Sequence, residues 1–132
     1  MSEEILKNIN STYVVLNAGN AIPVTVSDRF YQDLEQQFGD FKGKRLVSHH
    51  IFEQDWNSWE MHPAGEEFVC LLFGQVDFVL EQDGSERIVS LNAPGDYILV
   101  PSGTRHTAKV YTRSSVLFIT PGEGTQHRSH TI

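Results

Sequence analysis

Apolar side chains fall along the 132 residues in short bursts rather than in long periodic stretches. Tyr13 to Leu16, Arg45 to Glu53, Phe68 to Phe73, Val76 to Glu81, Arg87 to Leu91, Tyr97 to Val100, His106 to Val110 and Val116 to Thr120 are each rich in Val, Ile, Leu, Phe or Tyr and bounded by turn residues. Branched and aromatic side chains suit a pleated surface, so this pattern predicts about eight short strands. Asp83-Gly84, between two of these runs, is the residue pair a tight hairpin with positive φ angles prefers. Helical spacing occurs once, where Phe30, Tyr31, Leu34 and Phe38 follow a potential cap at Ser27-Asp28 and Gly39 supplies a stop. The expected architecture is all-β with one short N-terminal helix, arranged as a sandwich, jelly roll or small barrel. The apolar runs are nearly continuous, which predicts burial on both faces, between sheets or against a second subunit.

Length sets one domain over residues 1–132, because a second core would have little chain left to build it. The ends, 1–12 and 121–132, lack an apolar period and read as peripheral to a barrel core of about 45–120. A net charge of −7, with Lys and Arg scattered along the chain, argues against nucleic acid and anionic membranes as partners. Two acids follow Met1-Ser2 where a secretory signal carries positive charge, so a cytoplasmic protein is expected. The one cysteine, Cys70, sits within an apolar run and is expected to pack as a small hydrophobe.

Chemistry concentrates in two stretches. In Trp59-Glu60-Met61-His62-Pro63-Ala64-Gly65-Glu66-Glu67-Phe68, strand alternation puts Glu60 and His62 on one face, and the Pro/Gly turn lets a carboxylate return toward it. The second stretch runs from Gly95 through Pro101 and Gly103 to His106, a histidine at the start of a strand. Two imidazoles with one or two carboxylates suit a divalent transition ion (Fe, Mn, Ni, Co or Zn) better than Ca or Mg.

Taken together, Glu60-x-His62-x4-Glu67-x6-Gly74 and Gly95-x5-Pro101-x-Gly103-x2-His106 resemble the paired motifs of a small single-domain cupin. The resemblance implies a double-stranded β-helix, or jelly-roll barrel, with its site inside the barrel and frequent homodimerisation. It also implies that His62, Glu67 and His106 occupy metal-ligand positions. The first motif of the family usually opens His-x-His; with Glu60 there, the implied set is two histidines and two glutamates, Glu60 serving as a fourth ligand or a nearby base. The second motif usually closes on Asn, where Val110 stands, which removes a polar side chain but no ligand. Spacing to Gly74 favours Glu67 over Glu66.

Around these motifs, Trp56 and Trp59 flank the approach and either stack on a planar or sugar substrate or pack in the core. His49 and His50 face opposite sides of a strand, so one of them, taken as His49, lines the pocket or serves as a hydrogen-bonded structural residue. Arg105 is aimed away from His106 toward an anionic substrate or an ion pair. His127-x2-His130 lies in a Gly, Thr and Ser context without a helix and is read as solvated tail. The leading functional expectation is a metal-dependent enzyme acting on a small oxygen-chelating substrate, dioxygenase-like as in similar small cupins, with isomerase and lyase chemistry open. The other is a metal- or ligand-binding sensor module without turnover.

Overall fold

The computed structural model describes residues 5–130. Its elements are β1 (Thr12–Asn17), β2 (Asn20–Thr25), α1 (Phe30–Phe38), β3 (Arg45–Phe52), β4 (Ser58–Met61), β5 (Glu67–Phe73), β6 (Val76–Gln82), β7 (Ser85–Leu91), β8 (Tyr97–Val100), β9 (His106–Val110), β10 (Ser114–Thr120) and β11 (Gln126–Ser129). Two antiparallel sheets face each other in a jelly roll. One has the order β2-β1-β3-β10-β5-β8 and the other β11-β4-β9-β6-β7.

The main core lies between the sheets, where alternate residues meet: Val69 and Leu71 from β5, Val116 and Phe118 from β10, Val76, Phe78 and Leu80 from β6, and Ala108 from β9. Each large side chain buried this way contributes about 1.5–3 kcal/mol. A second cluster forms where Phe30 and Leu34 of α1 pack against Tyr13, Val15, Val24 and Leu46. Tyr31, on the same predicted stripe, is instead 60% exposed. The helix ends on Gly39, at φ +66°, whose N–H reaches the Glu35 carbonyl.

The apolar runs are not buried on both faces within the monomer. On the outward side of the first sheet, Leu72, Tyr97 and Leu99 are exposed and Cys70 is only half-buried, rather than a core residue. The Asp83-Gly84 hairpin forms as expected: both residues have positive φ and Gln82 pairs with Ser85.

Three strands carry too little apolar signal to have been included among the expected runs. β2 contains Pro23 and lies at a sheet edge, where a missing donor is tolerated. β4 is four residues long and borders the motif loop. β11 is wholly polar and exposed, and it exists because its backbone pairs with β4, His127 opposite Glu60 and Arg128 opposite Trp59. The stretch expected as a solvated tail therefore closes a sheet edge. The glycine ending the first motif has a steric cause: Gly74 sits at φ +105°, and a Cβ there would lie 2.7 Å from Ser114 Cα.

Candidate metal centre

Three strand ends converge at one end of the barrel. Glu60 is on β4 with His62 just beyond it, Glu67 opens β5 and His106 opens β9, with Glu60 directly opposite His106 in the register. The two motif loops are tied together by Gly103 N–H donating to the His62 carbonyl at 3.0 Å and Ser102 Oγ donating to the Pro63 carbonyl at 2.8 Å. His106, Glu67 and His62 are buried, and Glu60 is 30% exposed. Glu66 points to solvent.

Glu60, His62 and His106 each present a potential ligand atom, all within 4.8 Å of one another. Glu67 bridges the histidines, with Oε1 3.0 Å from His106 Nε2 and Oε2 3.4 Å from His62 Nε2. Glu60 turns Oε1 toward His62 Nε2 at 3.7 Å and Oε2 toward His127 Nε2 at 3.3 Å. Thr120 Oγ1 donates to Glu67 Oε2 at 2.6 Å.

Hydrogen bonds on the far side of each ring decide what the near side offers. His106 Nδ1 lies 3.1 Å from the Thr104 carbonyl, which can only accept, so Nδ1 carries the proton. His62 Nδ1 lies 2.8 Å from Thr125 Oγ1, whose hydroxyl donates to the Gly122 carbonyl at 2.9 Å. With its single hydrogen used there, Thr125 accepts from His62 Nδ1–H. Both neutral imidazoles thus present bare Nε2 lone pairs to the Glu67 carboxylate, and lone pairs facing a carboxylate repel unless a cation lies between them. His62 Nε2, His106 Nε2 and Glu67 Oε1 are buried without a well-aligned hydrogen bond. These orphaned donor atoms fit a divalent transition ion.

Without an ion, protons supply the positive charge. Burial alone would raise the Glu67 carboxyl, but with both rings protonated the close approach of the His106 and His62 Nε2–H groups and their charge override it and bring the pKa down to about 2. Burial alone would lower His106, but the hydrogen bond to Glu67 and its charge raise it.

The site opens into a cavity of about 950 Å³ between α1, β3 and the barrel end. No protein-family profile matches the sequence, and no curated protein matches it. Solved structures do. A cupin-2 domain protein from Shewanella frigidimarina superposes with a TM-score of 0.50 at 18% identity, over 58% of this chain and 70% of that one. A deletion mutant of the Bacillus subtilis oxalate decarboxylase gives 0.55 at 14% identity, over 66% of this chain but 24% of the enzyme. An oxalate oxidase gives 0.52 at 14%, over 61% of this chain and 44% of that one. The fold is that of a cupin.

Within the cupin barrel, parity along each strand sorts the other candidates. On β3 the even-numbered Leu46, Ser48, His50 and Phe52 line the cavity. His49 points the opposite way, its ring held between Asn10 and Ser115, so the pocket-facing histidine is His50 and not His49. Burial, followed by the neighbouring His49, pushes the His50 imidazole down, with Glu67 opposing. Trp56 lines the cavity, its ring 6.0 Å from that of His106. Trp59 does not: with Glu60 facing in, its neighbour faces out, packed against His130 and beneath the Arg128 guanidinium. Arg105 reaches toward Gln126, not into the cavity. Thr125 escaped sequence reasoning, and His127, read there as solvated tail, instead lies against Glu60. They reach the site only because polar β11 docks on β4, and no apolar periodicity announces such a strand.

Proposed function

We propose that this cupin binds a divalent transition ion through His62, His106 and Glu67, with Glu60 as fourth donor, and is a metal-dependent enzyme acting on a small oxygen-chelating molecule. The observation that carries the reading is the pair of Nε2 atoms, their Nδ1 partners already fixed, turned on one buried carboxylate, an arrangement a cation stabilises. The bound ion would supply Lewis-acid polarisation of a substrate oxygen or, as iron, dioxygen chemistry of the dioxygenase type. Thr125 and Thr104 hold the histidine protons on Nδ1, and Thr120 orients the Glu67 carboxylate. Glu60, 30% exposed and shared with His127, is the group placed to move a substrate proton where it does not ligate the ion. The open cavity favours turnover over a closed binding module. The outward apolar face of β5 and β8 supports a homodimer.

Elemental analysis of untagged protein beside the His62→Ala and His106→Ala variants tests the reading. Near-stoichiometric metal in the parent, lost in both variants, is the expected result. A parent that neither carries nor takes up Fe, Mn, Ni, Co or Zn would refute it.

A further inference from the structure

The cavity's charge and its ring-lined wall also select the kind of molecule it admits. Among the described residues, no Lys or Arg lines it. Five carboxylates of the described residues do: Glu60 and Glu67 at the proposed metal site, and the exposed Glu35, Asp40 and Asp55. A divalent ion cancels the two at its own site and leaves the three exposed ones uncompensated. A small organic anion entering this space meets a like-signed field with no guanidinium or ammonium to receive it.

The wall beside the histidines is aromatic. Phe52, Trp56 and Phe118 form a mutual cluster with ring centroids 5.7–6.1 Å apart, and His50 stacks on Phe52 at 5.8 Å. Trp56 touches both this cluster and His106, so the apolar wall and the ligand atoms adjoin. Its indole N–H is buried with no hydrogen-bond partner, an uncharged donor within the same wall.

We infer that the cavity takes an uncharged aromatic molecule bearing oxygen donors, its ring against Phe52, Trp56 and Phe118 and its oxygens toward the histidines, and that it discriminates against small dicarboxylates. The oxygen-binding half rests on the metal reading above, whereas the ring and charge selection does not.

The test uses 2′-hydroxyacetophenone, a neutral hydroxyaryl ketone, and oxalate, each titrated calorimetrically into zinc-treated and metal-free protein at pH 7. The ketone is expected to bind both forms, with oxalate at least about tenfold weaker on the zinc-treated one. Phe52→Leu, which keeps the wall packed but removes a ring, should weaken the ketone roughly three- to tenfold. Glu35→Lys, at an exposed position, should strengthen oxalate binding severalfold. Oxalate binding as tightly as the ketone, or a ketone affinity indifferent to Phe52→Leu, would overturn the inference. Should no zinc be taken up, the metal reading falls, while ketone binding to the metal-free protein and its response to Phe52→Leu still decide the aromatic selection.

Discussion

Replacing Thr125 with Val removes one oxygen and leaves the volume nearly unchanged. In the native site that oxygen donates to the Gly122 carbonyl at 2.9 Å and accepts from His62 Nδ1–H at 2.8 Å. The variant leaves His62 two responses. It can keep its proton on Nδ1 with no partner, at a cost of about 1–3 kcal/mol for a buried unpaired donor. Or it can move the proton to Nε2, which removes the lone pair needed by a metal. Either response weakens metal affinity, by about 10- to 100-fold as for other groups that orient a ligand histidine, or about 1.4–2.7 kcal/mol. Competition against a chromophoric zinc chelator at pH 7.5 measures it, with melting of the metal-free protein as the control for folding. Thr125→Ser keeps the hydroxyl and should stay within about twofold of the parent. A Thr125→Val protein that is folded and binds zinc like the parent would refute the tautomer argument.

In the metal-free protein, Glu67 is depressed to about 2 from 4.5, so its stabilisation is complete above 4.5 and is lost as pH falls through that interval toward 2. His106 is raised, so its contribution is complete below 6.5 and is lost as pH rises through the folded value; melting temperatures should fall on both flanks. Zinc affinity should instead climb with pH above 6.5, because the ion displaces that proton, and a flat profile would contradict the ligand assignment of His106. Glu60→His supplies a third imidazole and should tighten Co, Ni and Zn about tenfold, measured by the same chelator competition, with equal or weaker binding counting against Glu60 as a donor. Gly74→Ala combines a positive φ with overlap on Ser114 and should cost about 2–4 kcal/mol, lowering the calorimetric melting point by roughly 10 °C. Sedimentation should give a dimer that Leu72→Glu with Leu99→Lys converts to monomer, those side chains being exposed on the outward face of β5 and β8; an unaffected dimer would place the interface elsewhere.

The β-strand content, the Asp83-Gly84 hairpin and the α1 helix were legible in the chain because each depends on local chemistry: branched residues on pleats, positive φ at a turn, a 3.6-residue stripe; the cupin fold was legible only through the resemblance of the two spaced motifs. The spacing of Glu60, His62, Glu67 and His106 was legible too, since turns at Pro63-Gly65 and Pro101-Gly103 set those residues at strand ends. Facing was not. The β3 run Leu46-Val47-Ser48-His49-His50-Ile51 is not cleanly alternating, so its parity could not tell His49 from His50, and only the pairing of β3 with β10 and β1 fixed which side met the core. Trp59 was turned outward in the same way, once β4 set Glu60 inward, whereas Trp56 enters the cavity from the loop before β4. Thr125 and His127 lay further still from local inference. A polar strand gains its structure from the backbone donors and acceptors of a neighbour, here β4, and a one-dimensional pattern of hydrophobicity holds no trace of that partner. Sequence determined which imidazoles and carboxylates gather at the barrel end; tertiary packing decided which groups, the Thr125 hydroxyl and the Thr104 carbonyl, fix the hydrogen bonds of their far-side ring nitrogens.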